Sequence, residues 1–169
     1  MKFEDLWTLL DYHYWARDRM LDAVDELPPD QYTKDLGNSF KSVRDTVVHI
    51  YFAEWVWYSR WTGNSPTAAP KSEDFPDVPA IRAPWEAQEQ KIRLFVGSLG
   101  PQGLDRVFDY KNLAGQAQKS VFWHMLQHVV NHATYHRGQV TTLLRQLGAS
   151  PPKPQDLIAF YRERDARIS

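Results

Sequence analysis

The sequence predicts an all-α protein, an antiparallel four-helix bundle, on three observations. Apolar residues recur at helical spacing in four long segments, prolines and glycines stop those segments, and no strand-like alternation runs longer than a few residues. The chain has 169 residues, enough for one domain (residues 1–169) with a sizeable core.

The first helix is expected over Phe3 to Leu27, with Leu6, Leu9, Leu10, Leu21 and Val24 on one face and Pro28-Pro29 as its stop. The second runs from Ser42 to Trp61, where Ser42-x-x-Asp45 has the form of a capping box and Gly63 follows the end. Its run "VVHIYFAEWVWYSRW" is apolar nearly all round, with His49 and Glu54 as its main polar members. A helix of that kind must be covered on more than one side, which points to a homodimer through this region. Residues 62–84 carry five prolines and read as a long surface crossover between helices two and three. The third helix is expected over Trp85 to Leu99, before Gly100-Pro101. Short β-prone pieces around Val107 to Tyr110, with Gly115 in the turn, predict a small β-hairpin. The fourth helix spans Val121 to Leu147, has no Asp, Glu or Pro, and is stopped by Gly148 and Pro151-Pro152. A short C-terminal helix covers Gln155 to Arg162, and the tail "RERDARIS" reads as solvated.

Composition narrows the function. Twenty Lys plus Arg against 21 Asp plus Glu leave a net charge of -1, which offers no electrostatic footprint for nucleic acid or an anionic membrane. No apolar run has membrane-spanning length, and the N-terminal stretch "MKFEDLWTLLDYHYWARD" lacks the apolar region of a signal peptide, so a cytoplasmic protein is expected. The absence of cysteine removes disulfides, a cysteine nucleophile and thiolate metal ligands. Seven Trp, eight Tyr and eight Phe are many for this length and suit pocket walls or an interface. Trp55, Trp57 and Trp61 read as core and dimer contacts, some of them at the substrate mouth.

The fourth helix carries His124, His128, His132 and His136, each four residues after the last. Four residues advance a helix by roughly 6 Å and turn it by roughly 40°, so His132 and His136 share a face and can grip one ion. All four cannot, because the direction swings by roughly 120° from first to last. The spacing matches zinc helices of the H-E-x-x-H kind, but Ala133 stands where their Glu would be, so the metalloprotease reading fails on its own motif. A third ligand must come from another helix. Of the remaining histidines His13 and His49, His49 lies midway along the most buried-looking helix, where an unpaired imidazole would be costly. That makes His49, His132 and His136 the candidate metal ligands. The missing carboxylates argue against a di-iron bundle and suit an all-imidazole site.

The strings "DYHYWARDRMLDAV", "SVRDTVVHIYFAEWVWYSRW", "HVVNHATYHRGQV" and "PPKPQDLIAFYRER", in this order along the chain, resemble the DinB/YfiT-like family, whose members are regarded as metalloenzymes. The resemblance covers nearly the whole chain. It implies a four-helix bundle, usually a homodimer, with a divalent metal held by three histidines, which here are His49, His132 and His136. It also implies a metal-dependent transferase working with a low-molecular-weight thiol as co-substrate. The family name does not imply DNA binding. This chain departs from its relatives at His13, where Asn is commoner. Four readings stay open for that residue: a fourth ligand, a group behind the ligands, a pocket wall, or a satisfied core histidine.

Three neutral imidazoles leave a bound ion its full +2 charge. Such a centre lowers the pKa of bound water to about 7 in carbonic anhydrase and deprotonates a bound thiol. Zn, Ni, Co and Fe all accept imidazole. Gln139 and Asp45 are candidates to hold the second ring nitrogens, though Asp45 also suits a helix cap. Arg137 is expected in a bundle or interface ion pair, and Gly138 at a close approach of another helix. His128 reads as pocket wall. Two other functions stay in view: a dimeric structural or binding protein whose metal is non-catalytic, and a metal-dependent hydrolase.

Overall fold

A computed structural model describes residues 2–167. The elements are α1 (Phe3–Asp25), α2 (Pro29–Tyr32), α3 (Val43–Trp61), α4 (Val78–Leu99), β1 (Val107–Lys111), β2 (Ala117–Val121), α5 (Phe122–Gln146) and α6 (Leu157–Ala166). The protein is mostly helical, with one two-stranded antiparallel sheet.

Three differences from the sequence reading have local causes. The turn of helix in α2 follows from Pro29 at a first helical position, where its missing N–H costs nothing. The helix expected from Trp85 begins seven residues earlier, because Asp77 caps it by accepting from the Ala80 N–H at 2.9 Å and Pro79 fits the first turn. Pro84 lies inside that helix. It forfeits one backbone bond while its neighbours Ile81 and Trp85 are wholly buried, and that burial, roughly 1.5–3 kcal/mol per large side chain, offsets the loss. The crossover is thereby shortened to residues 62–77. At the other end, α6 runs on through Ala166, where a solvated tail was expected. Its Glu163 accepts from Trp15 Nε1 and Arg19, while residues 164–167 are exposed. Ile168 and Ser169 of the expected tail lie outside the described residues.

The four long helices contact one another in a closed circuit: α1 on α5, α5 on α3, α3 on α4, and α4 on α1. Apolar side chains fill both ends of the space they enclose. Met20, Leu21, Val47, Trp85 and Leu144 make up part of one cluster, and Leu6, Leu10, Trp61, Phe122 and Leu126 part of the other. A smaller cluster of Tyr12, Ala16, Val130 and Phe160 seats α6 against α1 and α5.

The hairpin pairs Val107 with Val121 and Phe108 with Ser120. Its turn is closed by Asn112, whose Oδ1 accepts from Ala114 N and Gln116 N at 3.0 and 2.9 Å, and by Gly115 at φ +79°. Phe108 points down onto Phe95 and Phe122, which ties the sheet to the start of α5.

One polar cluster interrupts the core. Glu54 of α3 is 1% exposed, accepts from Trp85 Nε1 at 2.9 Å and Tyr14 Oη at 3.3 Å, and meets His13 Nε2 at 2.7 Å. Burial holds His13 below the ordinary imidazole range despite the neighbouring carboxylate, so the ring is neutral and its Nε2–H donates to Glu54. The three helices α1, α3 and α4 are joined through this one carboxylate.

Candidate metal centre

The capped start of α3 sets where His49 falls. Ser42 Oγ accepts from the Asp45 N–H at 3.1 Å and donates to Asp45 Oδ2 at 2.7 Å, so Asp45 serves the helix cap. Seven residues on from the cap, His49 faces α5. There, His132 and His136 follow one another by one turn on the side that packs against α3. One ligating nitrogen from each of the three rings lies within 4.8 Å of the others, the one such group of three metal-ligating side chains among the described residues.

The geometry suits a shared cation. His49 Nε2 and His132 Nε2 are 3.1 Å apart. Two nitrogens at roughly 2.0–2.1 Å from one tetrahedral ion would sit about 3.3–3.4 Å apart, so the rings need only a small adjustment. The ring centres of His136 lie 4.5 Å from His49 and 4.4 Å from His132. Gln139 Oε1 accepts from His136 Nδ1 at 2.7 Å, which places the proton on Nδ1 and leaves the Nε2 lone pair for a ligand. Burial, with the charge of His136 as the next cause, pushes His49 down to about 4. Burial followed by the charges of His136, His49 and His128 pushes His132 down to about 3. Both rings are therefore neutral at pH 7 and able to donate lone pairs. The donor set fits a divalent ion that prefers nitrogen.

Phe40 closes one side. Its ring stacks on His49 at 4.1 Å between centres and meets His136 edge-on at 5.3 Å. The loop that carries it is held by Leu36 N donating to Lys41 O at 2.8 Å and Phe40 N donating to Asn38 Oδ1 at 3.1 Å, with Lys41 in the left-handed region at φ +66°. Sequence reasoning missed Phe40, since no periodic signal marks a loop residue that packs on a distant helix. A cavity of about 310 Å³ adjoins the centre through Phe40 and Gln139 and is also lined by Tyr135 and Thr142.

The remaining expectations divide. His13 is a core histidine held by Glu54 through Nε2, while its buried Nδ1 has no partner among the described residues. His128 is exposed, 5.8 Å from the His132 ring and against Trp57. Trp61 is core, while Trp55 and Trp57 are half-buried. Gln139 does reach a ligand's second nitrogen, that of His136. Two expectations are not met within the chain. Arg137 makes no ion pair inside the bundle among the described residues; its Nη2 donates to Tyr12 Oη at 3.2 Å and Thr134 Oγ1 at 2.8 Å. No helix approaches Gly138, whose Cβ position has nothing within 4 Å; the residue sits on the wall between two cavities.

Comparison with known proteins adds to the geometry. The model of the DinB family matches residues 1–163. The chain is 27% identical over 163 residues to Protein DinB of Bacillus subtilis (strain 168), a match that spans 93% of this chain and 95% of that one. In fold it is similar to the crystal structure of a DinB-like protein from Bacillus cereus ATCC 10987, with a TM-score of 0.57 and 20% identity over 86% of this chain and 95% of the other. The last likeness speaks to the fold alone.

Proposed function

The chain belongs to the DinB family, and from that premise we propose that His49, His132 and His136 hold one divalent metal ion in a metal-dependent enzyme of the thiol-dependent transferase kind, acting on small molecules. The observation that carries the reading is three imidazole nitrogens within 4.8 Å of one another with no carboxylate among them. When bound, an ion in this set keeps its charge and supplies Lewis acidity to a thiol or water. The chain's own residues do the rest. Gln139 fixes the His136 ring by accepting from Nδ1. Phe40 keeps water off one face of His49, and the cavity beside it offers neutral amides and hydroxyls to a guest.

The closed circuit of contacts supports reading the four long helices as an antiparallel bundle. A homodimer through α3 belongs to the same proposal, supported by Phe52 and Trp55, which stack on each other and remain half-exposed. Sedimentation at micromolar concentration is expected to give twice 19.7 kDa.

The test begins with metal content by mass spectrometry on tag-free protein. About one equivalent per chain is expected, falling below a tenth in His132→Ala. A screen of thiols against electrophiles follows. Turnover that needs both a thiol and His132 supports the transferase. Turnover of esters or amides without thiol would make the protein a hydrolase. Tight metal binding with no turnover would leave a structural or binding role.

A further inference from the structure

A large cavity lies on the far side of α5 from the three histidines. It has a volume of about 640 Å³ between α5, Tyr12 in the middle of α1 and the proline-rich segment 151–157. Its walls hold three cations. Arg137 is 2% exposed, and its Nε and Nη1 have no hydrogen-bond partner. Arg145 and Lys153 are exposed at the rim. None of the three has an ion-pair partner among the described residues, whereas Arg17, Arg82 and Arg93 each meet a carboxylate within 2.8 Å. One carboxylate, Asp156, lines the same cavity, so its walls carry a balance of +3 − 1 = +2 in a chain whose net charge is -1.

A buried guanidinium without a counter-ion is expensive, and its field acts strongly where water is sparse. Tyr12 Oη, which accepts from Arg137, donates to Gln155 O at 3.0 Å, and Thr134 Oγ1 donates to Val130 O at 2.9 Å. Both hydroxyls therefore pass on Arg137's donation and leave its charge uncompensated. Pro151, Pro154 and Leu157 give the opposite wall an apolar surface. Gly138 supplies the opening. A glycine in mid-helix costs about 1 kcal/mol relative to alanine, and here its Cβ position looks into open space.

We propose that this cavity is a binding site for a small organic anion, a carboxylate or phosphate ester with an apolar body, whose charge is met by Arg137, Arg145 and Lys153. The site is separate from the three-histidine centre and does not depend on that centre's being a metalloenzyme.

Calorimetric titration of the full-length protein with phenyl phosphate, benzoate, inorganic phosphate and uncharged benzyl alcohol tests it. Saturable binding of the two aromatic anions is expected, weakening as salt rises, with inorganic phosphate weaker and benzyl alcohol silent. The doubly substituted Arg145→Gln/Lys153→Gln protein, altered only at exposed positions, should bind about tenfold more weakly. Gly138→Leu should abolish binding while keeping metal content and losing no thermal stability, a combination that a purely structural role for this glycine would not give. Binding must persist in His132→Ala and after chelation. Anions that bind only to metal-loaded protein, or equally well to the double variant, or not at all at 10 mM on the order of a weak-site limit, would overturn the proposal.

Discussion

Two histidine environments on α3 and its partners stand about one and a half turns apart, at His49 and Glu54, and obey opposite rules. On the α1–α4 side, His13 meets Glu54 in a core that excludes water, and every strong polar atom of the carboxylate is engaged by His13, Trp85 or Tyr14. On the α5 side, His49, His132 and His136 meet one another with no carboxylate, and burial keeps His49 and His132 neutral. In the first arrangement the carboxylate's demand for donors is met from within the chain, although the second nitrogen of His13 is left without a partner among the described residues. The second gathers three ring nitrogens within 4.8 Å of one another, a set compatible with a cation that the chain itself does not supply. Residue type does not separate a structural histidine from a ligand; the charge of what it faces does.

The comparison breaks most severely at Glu54. Replacement by Leu leaves His13, Tyr14 and Trp85 unpaired in the core and is expected to cost about 3–5 kcal/mol, seen as a large fall in the urea midpoint. Metal content of the folded fraction should not change. His132→Ala is the mirror case. Metal binding is expected to fall more than a hundredfold, while the metal-free protein melts within a few degrees of the parent by calorimetry, since a half-buried ring is removed from among like groups. Gln139→Ala frees the His136 ring and should weaken metal affinity by about 10–100-fold in a competition titration, with the fold untouched.

Acid provides the gentlest probe. His49 and His132 have folded-state values of about 4 and about 3 against 6.5 when unfolded. Below pH 6.5 the unfolded chain takes up protons that the folded chain refuses. The stability they contribute is therefore complete above pH 6.5 and declines as pH falls toward 4. The metal-free melting temperature should drop by several degrees over that window, and a His49→Gln/His132→Gln protein should show a shallower slope. His13 adds to the decline in both proteins, since burial lowers it in the same direction.

Much of this was legible in the chain. The His132–His136 step on a helix without acids, and a lone His49 on an apolar helix, sufficed to pick out the three side chains that the fold brings together, because helical spacing converts directly into direction. Ser42-x-x-Asp45 marked the start of α3 to within a residue. What could not be read was set by contacts distant in sequence. Phe40 lies in an aperiodic loop and gains its role only by stacking on His49. Pro84 looked like a break, and only the depth at which Trp85 is buried explains why the helix runs through it. Arg137 adjoins a ligand in the sequence yet faces the opposite side of α5, where Tyr12 and Thr134 take the place of the expected carboxylate.

The nitrogen-only character of the three-histidine cluster has a consequence for cellular selectivity. Magnesium and calcium, the abundant divalent ions of living cells, are hard acids that demand several oxygen donors. They gain nothing from a ring of imidazoles, whatever their concentration. On the proposed reading, three side chains that hold a scarce borderline ion would thus also filter out the common ones, without spending a single residue on exclusion.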